Sequence, residues 1–216
     1  MATPNRIINP APPNLPLGTE QYERRYQDQF ANVLRLYFNQ LKNALSELLG
    51  NTGGRYLAFP YGAFSSYVDQ TATANTATLM TLNTTDFANA VSINSSKITV
   101  ENAGVYNLQF SAQFQNTDNQ IQDISIWLRQ NGTDIPGSTG FVSIPARKSA
   151  SAGEEAHEII GWNYYVSMNA GDYIQIYWST TLASVTIQTY SASTGPTRPS
   201  TASVVATLSF VSALFP

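Results

Sequence analysis

The chain has 216 residues, enough for one substantial domain and an appendage, and only 12% of them are charged, about half the roughly 25% usual for soluble domains. A net charge of −3, with no basic run longer than Arg24-Arg25 or Arg147-Lys148, leaves no stripe for a phosphate backbone and excludes nucleic acid as a partner. The absence of cysteine removes disulfides, thiolate nucleophiles and cysteine-based zinc sites. The polar surface must instead come from Asn, Gln, Ser and Thr, which hydrogen-bond well and repel copies of themselves poorly.

Residues 1–18 hold prolines at 4, 10, 12, 13 and 16, which forbid a helix interior and favour an extended arm. Ile7, Ile8, Leu15 and Leu17 stud this arm with apolar groups. Either they anchor it in a groove of a partner, or the segment is a disordered terminus. It lacks the charged start and apolar run of a secretory signal. No stretch reaches the about 18 consecutive apolar residues of a membrane span, so no membrane partner is expected.

Residues 19–50 read as one amphipathic helix, starting near residue 20 behind Thr19 as an N-cap and free of Gly and Pro up to Leu49. At 1.5 Å per residue it would be a rod of roughly 45 Å. Phe30, Leu34, Tyr37, Leu41, Ala44 and Leu48 alternate steps of four and three, the seam of helices that wrap around copies of themselves. Tyr22, Tyr26, Val33, Phe38, Leu45 and Leu49 widen the stripe beyond a two-stranded seam, which fits a trimer. A helix packed on its own β domain is the alternative. A Gly-rich hinge follows at 51–55.

From residue 56 to 216 the pattern is strand-like. Strands are expected over 57–68, 78–82, 91–93, 98–100, 105–114, 124–128, 159–168, 173–178, 185–190 and 204–214, most of them bounded by turn residues such as Asn131-Gly132 and Gly171-Asp172. Segments 137–153 and 191–201 read as loops. Eight to ten short strands with no helix between them predict a mainly β fold, a sandwich or jelly roll.

Three stretches carry a family likeness: Val100-Glu101-Asn102-Ala103-Gly104-Val105-Tyr106-Asn107-Leu108, Met168-Asn169-Ala170-Gly171-Asp172-Tyr173-Ile174, and Thr207-Leu208-Ser209-Phe210-Val211-Ser212-Ala213-Leu214. They resemble strand entries, a turn and the closing strand of the complement/tumour-necrosis-factor superfamily of jelly-roll heads. The resemblance implies a ten-strand jelly roll over 56–216, assembled as a tight homotrimer, with both ends of each head at one pole. A helix stands where the complement branch has a collagen-like stalk. Separately, the arm-plus-helix stretch Asn5 to Leu45, with Arg25-Tyr26-Gln27-Asp28-Gln29-Phe30 followed by Val33-Leu34-Arg35-Leu36-Tyr37-Phe38, resembles short N-terminal modules of tailed-bacteriophage structural proteins. That likeness implies docking on a virion assembled in the host cytoplasm, through the arm, to other virion proteins.

Chemistry is sparse. The sole histidine, His157, lies in the acidic stretch Gly153-Glu154-Glu155-Ala156-His157-Glu158, read as a solvated loop. Asp118, Asp123, Asp134 and Asp172 stand in turn contexts where Asp is at home. No nucleophile elbow, phosphate loop, dinucleotide fingerprint or calcium loop occurs. Trp127, Trp162 and Trp178 could stack on sugars, but aromatics alternating along strands more often fill cores or subunit interfaces. The expectation is a non-enzymatic, cofactor-free homotrimer: a short virion fibre or capsid decoration with a trimeric helical stalk. Its head would serve particle stability or meet a host-surface glycan or protein. The alternative is a carbohydrate-binding module or polysaccharide depolymerase.

Overall fold

The computed structural model describes residues 13–17, 20–49, 59–149, 151 and 154–213. The chain forms two compact units, residues 1–58 and 59–216.

The first unit contains one helix, α1 (Arg24–Leu49). It starts at Arg24 rather than near residue 20, with Gln27 N–H donating to Glu23 C=O at 3.2 Å as its opening bond. Glu20 and Glu23 therefore stay ahead of the helix, on the side of its positive dipole end. The Tyr26 hydroxyl donates to the Pro16 carbonyl at 3.3 Å, and Tyr26 stacks on Phe30 one turn on. Thr19, the hinge at 51–55, and anchoring residues Ile7 and Ile8 lie outside the described residues.

The second unit is built of antiparallel strands. In chain order they are β1 (Tyr61–Ser66), β2 (Gln70–Thr71), β3 (Thr78–Leu79), β4 (Thr84–Asn89), β5 (Val91–Asn94), β6 (Lys97–Val100), β7 (Gly104–Asn116) and β8 (Gln122–Gln130). Then follow β9 (Thr133–Asp134), β10 (Gly140–Ile144), β11 (Ala156–Met168), β12 (Tyr173–Thr180), β13 (Val185–Ile187), β14 (Ser193–Thr194), β15 (Thr197–Arg198) and β16 (Val204–Ser212).

One sheet runs β11-β7-β16-β1-β4. Here β13 takes over from β16 along the far half of β7 and carries β2 beside it. The other runs β10-β8-β12-β6-β5, with β3 on β12 and β9 on β8. The mainly β, sandwich-like architecture agrees with the sequence pattern. Several stretches depart from it: residues 140–144 form β10 inside the expected loop 137–153, residues 193–198 form the β14–β15 hairpin inside the expected loop 191–201, and β4 with the two-residue β2 and β9 lie where no strand was expected.

Alternation explains the core. Along β7, Tyr106, Leu108, Phe110, Ala112 and Phe114 turn inward, and along β12, Ile174, Ile176 and Trp178 do so. Phe114 and Trp178 meet edge to face at 5.5 Å, joining the two sheets at the centre. Each such fully buried side chain contributes about 1.5–3 kcal/mol of transfer free energy. The Asn131-Gly132 hairpin has both residues at positive φ, 50° and 84°, as a tight turn between β8 and β9 demands.

The unit's entry and exit strands are neighbours. β1 pairs β16 antiparallel, with Tyr61 opposite Ser209, and Phe210 N–H donates to Pro60 C=O at 2.9 Å.

Candidate subunit interface

The seam residues Phe30, Leu34, Tyr37, Leu41 and Ala44 share one face of α1 and are all half-buried, whereas the polar residues between them are exposed. Tyr26 and Val33 join that half-buried set. Tyr22, Phe38 and Leu45 remain exposed beside it, and Leu36 is exposed elsewhere on the helix. The side chains of Leu48 and Leu49 lie outside the described residues. Of the residues expected to anchor the arm, Leu15 and Leu17 are exposed, Leu17 at 92%. A lone helix cannot bury a stripe this wide, and Tyr22, Leu36, Phe38 and Leu45 stay exposed along this segment.

The second unit offers a comparable surface, the outer face of the β11-β7-β16-β1-β4 sheet. Because inward residues alternate with outward ones, the outward set is fixed by register. On β7 it is Val105, Asn107, Gln109, Ser111, Gln113 and Gln115, and on β11 it is His157, Ile159, Gly161, Asn163, Tyr165 and Ser167. Cross-strand rows follow. Tyr165, Asn107, Ser209 and Tyr61 lie side by side, as do Asn163, Gln109, Thr207, Ala63 and Phe87.

By strand alternation no Lys, Arg, Asp or Glu falls in the outward set of β7, β11, β16 or β1, although Glu158 is exposed between His157 and Ile159, and Asp86 on β4 accepts from the Ser65 hydroxyl at 3.0 Å. Ile159, Tyr165 and Phe87 are 64%, 58% and 63% exposed. Asn107 Oδ1 is buried in this face without a donor among the described residues. Such an atom costs free energy until something supplies one.

His157 does not sit in a solvated loop. It is on β11 opposite Gln115, and its Nδ1 lies 3.0 Å from the Tyr190 hydroxyl with the rings edge to face. Burial, reinforced by the negative charges of Asp69 and Glu155, pushes the Tyr190 phenol up. Asp172 is a turn former. Its carboxylate accepts from the Asn169 N–H at 2.8 Å, from Asn131 Nδ2 at 2.7 Å and from Gln130 Nε2 at 3.2 Å. These bonds, the backbone one first, hold its pKa below the ordinary value. Among the described residues no three His, Asp or Glu side chains group as a metal site.

The tryptophans divide. Trp178 is core, and Trp162 packs edge to face on Phe110 at 4.8 Å. Trp127 instead lies on the outer side of the second sheet, stacked on Tyr177 at 6.0 Å. The outward rows were not found from sequence, although the uncharged Val-Asn-Gln-Ser-Gln alternation of β7 was the available signal. Phe87 was hidden because β4 was not recognised as a strand. No helix among the described residues is long and apolar enough to cross a membrane. No protein-family model matches the chain, and no curated protein is significantly similar to it.

Proposed function

We propose that this chain is the homotrimeric structural protein of a phage virion, a short fibre or capsid decoration. The arm docks it on other virion proteins, α1 bundles as a three-helix stalk, and the β unit is displayed outward. The observation that carries the reading is the presence of two unpartnered surfaces, one on each unit: the apolar stripe of α1 and the uncharged outer face of β11-β7-β16-β1. Symmetric copies placing such faces together bury apolar area without stranding charge.

The finer fold reading is a jelly roll. Its support is the strand order, in which β11-β7-β16-β1 opposes β10-β8-β12-β6, so that successive strands fall on alternate sheets through most of the chain. The neighbouring entry and exit strands fit a head joined to its stalk at one pole. The role is display, for particle stability or for contact with a host-surface glycan or protein, and not catalysis.

Native mass spectrometry of the full chain beside residues 54–216 tests the assembly. A trimer in both puts self-association in the head. A trimer that becomes a monomer on truncation makes the helix the organiser. A monomer in both overturns the reading.

A further inference from the structure

The outer face of the second sheet differs from that of the first, because it carries paired cations and rings. On β12, Tyr173, Gln175, Tyr177 and Ser179 point outward, opposite the buried Ile174, Ile176 and Trp178. Arg129 on β8 is directly across from Gln175. On the other flank Thr99 pairs Tyr173 and Ile98 pairs Ile174, so the same register continued by one residue brings Lys97 beside Gln175. Lys97, Gln175 and Arg129 therefore form one cross-strand row, with the two cations about 10 Å apart at Cα, two strand spacings.

Each cation leans over a tyrosine. Lys97 Nζ is 4.3 Å from the Tyr173 ring centre, and the Arg129 guanidinium is 4.0 Å from that of Tyr177. Asp134 Oδ1 accepts from Arg129 Nε at 2.8 Å and from Trp127 Nε1 at 2.9 Å, which fixes both side chains on the sheet. Lys97 has no carboxylate within ion-pair distance among the described residues.

Gln175 is the telling member. It is only 6% exposed although it faces outward, and its side-chain amide makes no hydrogen bond among the described residues. Its amide atoms are not among the enclosed unpartnered ones, so they remain open at the surface between the two cations and can hydrogen-bond an incoming ligand. A ligand carrying both an anionic group and hydroxyls resolves the arrangement. The anion meets Lys97 and Arg129, the hydroxyls reach the Gln175 amide, and half-buried Trp127 beside Tyr177 offers apolar ring surface to a sugar.

We infer that the Lys97–Gln175–Arg129 row binds an acidic, carboxylate-bearing saccharide. This deepens the display reading above, for which it would supply the host-surface contact, and it stands or falls separately from the trimer.

The test is calorimetric titration of the full chain with oligogalacturonate, beside neutral maltohexaose of similar length, with Trp fluorescence as a second readout. Wild type is expected to bind the acidic oligomer and not the neutral one. Lys97→Gln should weaken binding by about tenfold or more, the scale of one charge-assisted hydrogen bond. Gln175→Leu should also weaken binding while leaving the melting temperature close to that of wild type, since the amide makes no hydrogen bond within the protein among the described residues. No binding by wild type, equal binding of both oligomers, or undiminished binding by Lys97→Gln overturns the inference. A trimer that ignores oligogalacturonate ends this inference and leaves the fibre reading standing, whereas a monomer that binds it does the reverse.

Discussion

Phe59 stacks on Phe210 with ring centres 6.3 Å apart and planes 13° from parallel, where the chain enters and leaves the β unit. Phe210 in turn meets Tyr106 edge to face at 5.6 Å, so the clasp is continuous with the core. The Tyr106 hydroxyl donates to the Asn102 carbonyl at 2.7 Å, and burial pushes its pKa up.

Phe210→Ala should therefore loosen the pole at which the two ends meet. The expected loss is about 2 kcal/mol, below the range for a fully buried Phe because Phe210 is only half-buried. Urea unfolding followed by near-UV circular dichroism measures it, and an unchanged midpoint would mean that the clasp contributes nothing.

Gly161 on β11 lies where a Cβ would come within 2.2 Å of the Phe110 carbonyl oxygen on β7. That atom is backbone and cannot swing aside, so Gly161→Ala must push the strands apart. We expect a cost of about 2 kcal/mol and faster amide exchange along β11, read by hydrogen-exchange mass spectrometry. Gly137→Ala is a control for space, since nothing lies within 4 Å of its added Cβ, although its φ of 77° still strains the backbone.

Asp172 links stability to pH. Its folded pKa is depressed, so the stabilisation is present above the unfolded carboxylate pKa and is lost as the pH falls through the lower, folded value. Asp172→Asn removes this contribution. Melting temperatures measured from neutral to strongly acidic pH should show wild type falling more steeply on the acid side than the variant. Parallel curves would contradict the assignment.

Two pairs of substitutions separate the proposed assembly surfaces. Leu34→Asp with Leu41→Asp places carboxylates on the helix seam, and Ile159→Glu with Tyr165→Glu places them on the uncharged sheet face. Symmetry would gather each set in the assembly, where like charges cost several kcal/mol. Sedimentation velocity should show a smaller species for at least one pair. Wild-type sedimentation by both would remove both surfaces from the interface.

The strands legible in the sequence were those with one wet and one dry side. β7 and β8 alternate cleanly, and in β12 the buried Ile174, Ile176 and Trp178 stand every second residue. β4, Thr-Thr-Asp-Phe-Ala-Asn, has almost no buried side chain and owes its form to pairing with β1, so no periodicity announces it. β10 is an edge strand inside a small-residue stretch, with Phe141 exposed and only Ile144 fully buried. The half-buried face of α1 was readable because its spacing is local. The Lys97–Gln175–Arg129 row was not, because only sheet register brings three distant segments together.

The pairing of β1 with β16 also governs how the protein is made. Tyr61 waits for Ser209, and β7, in the middle of its sheet, waits for both β11 and β16. Loop closure over such separations is slow, which places folding in the millisecond-to-second class of β sandwiches rather than with helical bundles. A nascent chain therefore leaves the ribosome with β7 unpaired until β11 has emerged for one edge, and with most of the other edge open until residues beyond 200 have followed. α1 is closed by hydrogen bonds within the helix and can form long before, so a newly made chain would hold this helix while its β unit is still open.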